Sequence, residues 1–137
     1  MKNTLVAIVA LLLLSLGSSG QGEHVVDPGA SIAQNSQSAA YTTKLLDCGK
    51  QIYHPGADTT ARTWTIDSNA NVAAPIGCTI TFINDTSGGV ITIAITSDTL
   101  VLAGAGTTGS RSLAANGVAT AIKMTSTRWQ INGAGLT

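Results

Sequence analysis

Thr79-Ile80-Thr81-Phe82-Ile83-Asn84, then Asp85-Thr86-Ser87-Gly88-Gly89, then Val90-Ile91-Thr92-Ile93-Ala94-Ile95 is the stretch that decides the fold class. In the first run Ile80 and Phe82 alternate with Thr79 and Thr81. In the second, Ile91, Ile93 and Ile95 face one way and Val90, Thr92 and Ala94 the other. Apolar residues at every second position mark strands with one buried face. The threonines agree, because β-branched side chains pack well on a pleated surface.

The same pattern continues on both sides. Upstream, Trp64 and Ile66 alternate with Thr63 and Thr65. Downstream, Leu100 and Leu102 follow a Ser97-Asp98 break. Val118, Ile122 and Met124 share a face opposite Ala119, Ala121 and Lys123, and Trp129 and Ile131 alternate with Arg128, Gln130 and Asn132. Asn116-Gly117 reads as a two-residue hairpin turn, and Gly104 to Gly109 as a looser connection. Strands spaced about ten residues apart predict a small antiparallel β-sandwich or barrel-like domain of about 7–9 short strands. No ten-residue segment carries a 3.6-residue period, so the class is all-β. The patterning predicts the core aliphatics inside, with both Trp and the single Phe. It places Ala119, Ala121, Ala94 and Val90 on weakly polar outer faces that a homo-oligomer would cover.

The domain occupies residues 44–137. Residues 21–43 read as a polar linker, with a turn at Asp27-Pro28-Gly29, and residues 1–20 as a hydrophobic, signal-peptide-like segment. Met1-Lys2-Asn3 supplies the positive start, Leu5 to Leu16 the apolar run, and Gly17-Ser18-Ser19-Gly20 the small residues at which such a signal is cut. That run is too short for a stable membrane span, which takes about 20 residues. The alternative is an uncleaved apolar tail that packs against a subunit. The chain has 137 residues, of which 44% are hydrophobic and 10% charged, and its formal net charge is zero. This balance lacks the basic footprint of a nucleic-acid binder.

Cys48 and Cys78 are candidates for a disulfide. In an exported protein the bond would close a loop of about 30 residues and stabilise by about 3–4 kcal/mol in the chain-entropy picture. Two free, buried cysteines are the other reading.

Chemistry-bearing motifs are scarce. Gly104-Ala105-Gly106-Thr107-Thr108-Gly109 spells a dinucleotide fingerprint, but Asn116-Gly117 follows too closely for the helix that must hold a pyrophosphate. His54, in Tyr53-His54-Pro55-Gly56-Ala57-Asp58, reads as a turn histidine bonded locally to Asp58 rather than as a base or a metal ligand. No Ser or Cys occupies a nucleophile elbow. The aspartates are scattered singly in turns, which suits turn chemistry better than a calcium site. Catalytic, cofactor-binding and metal residues are therefore expected to be none. Trp64 and Trp129 belong to the core, whereas Tyr41 and Tyr53 are the candidate ligand or subunit contacts.

A resemblance adds to this reading. Ala40-Tyr41-Thr42-Thr43-Lys44-Leu45-Leu46-Asp47-Cys48-Gly49-Lys50-Gln51-Ile52-Tyr53-His54-Pro55 is similar to the opening of a small β module of tailed-phage and prophage proteins. The likeness continues through Thr59–Ile66, Pro75-Ile76-Gly77, Ile80–Asn84 and Ala103–Arg111. It ends with Thr127-Arg128-Trp129-Gln130-Ile131-Asn132-Gly133-Ala134-Gly135-Leu136-Thr137, so it covers about residues 36–137. Such modules end tail-fibre-like and other virion surface proteins. The resemblance therefore implies a non-enzymatic structural or adhesion unit, often trimeric, that binds a surface glycan or a partner protein at the virion surface. Two features depart from the pattern: cysteines stand at 48 and 78 where small residues are usual, and the signal-like start is unusual for a virion protein. They imply export, and they keep a second reading open, a secreted envelope or extracellular-matrix surface protein of a bacterial host.

Overall fold

The computed structural model describes residues 31–137, and the signal-like segment and the first part of the linker lie outside them. Nine strands form one curled sheet. They are β1 (Gln34–Ser36), β2 (Tyr41–Thr42), β3 (Lys50–His54), β4 (Arg62–Ile66), β5 (Thr79–Asn84), β6 (Ile91–Ile95), β7 (Thr99–Leu102), β8 (Arg111–Thr125) and β9 (Arg128–Leu136). A single 3₁₀ turn, Leu45–Asp47, precedes β3. The all-β class is thus as the alternation predicts. The sheet also takes up Gln34–Ser36 and Tyr41–Thr42, which the sequence reading assigns to the linker.

The pairing is mixed rather than antiparallel. β1, β3 and β5 form one parallel ladder, and β2, β4 and β6 form another. Consecutive strands therefore lie on opposite walls, and each pairs with a strand one full turn of the chain away. The walls meet across the core, where the Trp64 ring lies 6.2 Å from Phe82 and 5.9 Å from His54. A hairpin reverses the chain within one sheet, whereas these connections carry it around an edge to the other wall. Successive connections stack closely: Gly89 N–H donates to the Asp58 carbonyl at 3.1 Å. A Cβ on Gly89 would stand 2.3 Å from the backbone of Thr60, so only glycine fits there.

β8 closes both ladders. Its first residues, Arg111–Leu113, run antiparallel to β6, and Val118–Ile122 run antiparallel to β5. Asn116-Gly117 lies inside this strand and makes no hairpin. Asn116 takes φ 60°, and the register with β9 shifts between Leu113 and Val118. A positive φ serves a bend in a strand as well as it serves a turn, and here the bend carries β8 from one wall to the other. The hairpin comes later, between β8 and β9, and β9 also pairs in parallel with β7.

Ile52, Trp64, Ile66, Phe82, Ile91, Ile93, Leu100, Leu113 and Ile131 are wholly buried, each contributing about 1.5–3 kcal/mol by leaving water. Facing is as the alternation predicts on β4, β5, β6 and β9, and it is inverted on β8. Ala119, Ala121 and Lys123 point inward, while Val118, Ile122 and Met124 are 44, 38 and 42% exposed. The register explains the inversion. Ala119 stands beside Phe82 on one side and Gly133 on the other, and a Cβ on Gly133 would fall 2.1 Å from the Val118 carbonyl. Along the row Ile52, Phe82, Ala119 the core is filled by the two large side chains, and the row ends in the exposed Gly133, where β8 and β9 approach closely, so alanine takes the inward place on β8 and the larger residues turn out.

Candidate functional site

The end of β3 and the turn after it build a polar chain inside the fold. The Asn84 carboxamide is oriented by its Nδ2, which donates to the Gly89 and Leu113 carbonyls, both at 3.0 Å. Its Oδ1 therefore faces His54 Nδ1, at 2.9 Å. On the other side, His54 Nε2 meets Asp58 Oδ2 at 3.0 Å. Each ring nitrogen therefore has one polar side-chain partner within hydrogen-bond distance. The ring is completely buried, so neither nitrogen is open to a substrate. His54 does bond to Asp58, as expected, but from a strand in the core and not from a turn. Asp58 also accepts from Arg62 Nε at 2.8 Å and Nη2 at 3.2 Å. The Arg62 guanidinium, then the His54 ring, hold the Asp58 carboxyl far below the usual carboxylate range.

Both candidate tyrosines are fastened by their hydroxyls. Tyr53 O–H donates to Asp85, which holds the Asp85 carboxyl below its usual range and pushes the phenol above its own. Tyr41 O–H donates to Asp47 Oδ2 at 2.8 Å and accepts from Asn35 Nδ2 at 3.1 Å. Partial burial, then the Asp47 bond, raise the Tyr41 phenol. Asp47 also accepts from Lys44 N–H at 2.8 Å, so β1, β2 and the 3₁₀ turn are tied through one carboxylate. What Tyr41 and Tyr53 leave for a partner is the flank of each ring.

Cys48 and Cys78 form a disulfide, with Cα atoms 5.1 Å apart. Each sits just before its strand, and Lys50 of β3 stands opposite Ile80 of β5. The cysteines thus occupy the same station in adjacent turns of the chain, and the bond staples those turns together. Among the described residues no cluster of three metal-ligating side chains occurs, and no helix is long and apolar enough to cross a membrane.

A continuous outer face runs across β3, β5, β8 and β9. Across the strands, Tyr53, Ile83, Val118 and Ala134 make one row, and Gln51, Thr81, Thr120 and Asn132 the next. Thr79, Ile122 and Gln130 follow, with Met124 and Arg128 at the end. Among the described residues, Arg128 at one end of this face and Asp85, bonded to Tyr53, at the other are its charged side chains. The sequence reading finds Val118, Ile122 and Met124 as a group but assigns them to the core. It misses Asn84 and Asp85 as partners of His54 and Tyr53, since the register that joins them is not visible along the chain, and it misses the local pair of Arg62 with Asp58.

No family model, curated protein or solved structure matches the chain.

Proposed function

We propose that this chain is a non-enzymatic structural and adhesion module of the tail-fibre-like, virion-surface type. It assembles as a homotrimer and binds a surface glycan or a partner protein. The observation that carries the reading is the outer face of β3, β5, β8 and β9, which exposes Val118, Ile122 and Met124 and carries its charges, Asp85 and Arg128, only at its two ends. Depletion of charge at the centre with apolar and aromatic side chains present is the composition of interface cores. A face whose centre carries no charge meets little like-charge repulsion around a symmetry axis, so a symmetric oligomer can cover it. His54 supports the non-enzymatic part, because its ring is buried and both nitrogens are spent on Asn84 and Asp58.

The Cys48–Cys78 bond favours the second reading, an exported surface protein of a bacterial host, since such bonds persist in oxidising compartments. Adsorption of the labelled full-length chain to bacterial cells tests the adhesive function. Loss of binding after periodate treatment of the cells identifies a glycan, and loss after protease treatment identifies a protein. No adsorption to any cell or virion preparation removes the adhesive reading.

A further inference from the structure

Lys123 is the most unusual side chain of the core. It is 1% exposed and points inward from β8 beside Trp129, with its Nζ 5.4 Å from the indole centroid. Among the described residues no carboxylate pairs with it. Its one hydrogen bond runs to Asn69 Oδ1, at 2.7 Å, on the turn that follows β4. An ammonium carries three donors, and burying it with one partner is costly. Asn69 is itself held, because its backbone N–H donates to Oδ2 of the buried Asp98 at 3.0 Å. An amine and a carboxamide are thus fixed in contact where the core meets the turn after β4, the lysine fully buried and the asparagine partly so.

We propose that Lys123 and Asn69 are a covalent modification site, joined by an intramolecular isopeptide bond. The lone pair of the unprotonated Lys123 amine attacks Asn69 Cγ, forming the Nζ–Cγ bond. The bond from Cγ to Nδ2 breaks, and Nδ2 leaves as ammonia with the proton given up by Nζ. Starting from the ammonium, the proton released before the attack is taken up by the departing ammonia, so the sum is ammonium plus primary amide to secondary amide plus ammonium ion, and no oxidant, reductant or other co-reactant enters. The contact geometry supplies the proximity that makes such a unimolecular step fast relative to its solution counterpart. The product is neutral and keeps a single N–H donor, which removes the buried charge and the surplus donors together. Asp98 is a positioning residue, acting through the Asn69 backbone. The bond would tie β8 to the turn after β4, across 54 residues of sequence. With the disulfide it would give the module two covalent staples.

Mass alone is ambiguous, because an N-terminal glutamine or an asparagine that cyclises also sheds ammonia. The test is therefore a tryptic map of the purified full-length wild-type chain under reducing conditions. The isopeptide predicts one branched species, residues 63–111 joined to residues 112–128, lighter by one ammonia than the two peptides together. Trypsin does not cut after an acylated lysine, so Lys123–Met124 stays intact. In Lys123→Arg and in Asn69→Ala the branched species disappears. Recovery of wild-type 63–111 and 112–123 as separate peptides overturns the proposal, and it does so without relying on the folding of any variant.

Discussion

Removing the Cys48–Cys78 bond is the perturbation whose size can be worked out most directly. The cysteines are 30 residues apart in sequence. The chain-entropy relation for a loop of that length gives a loss of about 3–4 kcal/mol, a few hundred-fold in the ratio of folded to unfolded protein. The folded state should change little. Adjacent turns are already held at this station by the β3–β5 ladder and by Gly49 N–H donating to the Thr79 carbonyl at 2.7 Å. The cost therefore falls on the unfolded chain, which gains freedom when the link is cut. Cys48→Ala with Cys78→Ala is the suitable variant, since Cys78 is buried and serine would bury a hydroxyl there. Urea melts followed by tryptophan fluorescence, at one fixed protein concentration, should show the midpoint falling and the slope rising, because the uncrosslinked chain exposes more surface. A stability difference under about 1 kcal/mol would refute the argument that the staple limits the unfolded ensemble.

Other expectations follow from the same packing. Phe82→Ala opens a cavity between the walls beside Trp64 and should cost about 3–5 kcal/mol by chemical denaturation. Ala119→Leu, pointing into the packed core beside Phe82, should cost about 1–3 kcal/mol, whereas Val118→Thr should stay within about 0.5 kcal/mol of wild type in the isolated chain. The opposite order would mean that β8 faces the other way. Gly133→Ala should be destabilising as well, since its Cβ would overlap the Val118 carbonyl, and a circular-dichroism melt unchanged from wild type would contradict that register. Asp58 and Asp85 have depressed folded-state acidities, so their stabilisation is complete above the ordinary carboxylate range of about 4 and is lost as pH falls below it. Tyr41 and Tyr53 are raised, so their contribution is complete below about 10 and is lost as pH rises beyond that. Melting temperature against pH should therefore be flat from about 5 to 9 and fall on both sides.

The strands were legible along the chain because burial on one face imposes a period of two, and Trp64, Ile80, Phe82, Ile91, Ile93, Trp129 and Ile131 obey it. Strand direction was not legible. Alternation is the same in parallel and antiparallel ladders, and turn-rich gaps such as Asn84 to Gly89 serve equally to reverse a chain within a sheet or to carry it to the opposite wall. Asn116-Gly117 misleads for a related reason: a positive φ is needed both by a hairpin turn and by the bend within β8. The facing of β8 was hidden because hydrophobicity favours Val118, Ile122 and Met124 for the core, and only the cross-strand pairing of the buried Phe82 with Ala119 shows which face of β8 is inside. Lys123 followed the same error outward, so its contact with Asn69 had no signal in the local sequence. The pairing of Cys48 with Cys78 became legible through the oxidising compartment that the signal-like start implies, and its station in the ladder only through the register.

The account rests most heavily on the outer face of β3, β5, β8 and β9 as a surface between copies of the chain. Native mass of the full-length protein by sedimentation, beside the Ile122→Glu variant, tests it directly. Ile122 is 38% exposed, so glutamate there leaves the core untouched while placing three like charges into a symmetric interface. The account predicts a trimer for the wild type and a folded monomer for the variant. A wild-type monomer, or a trimer that Ile122→Glu leaves intact, would contradict it.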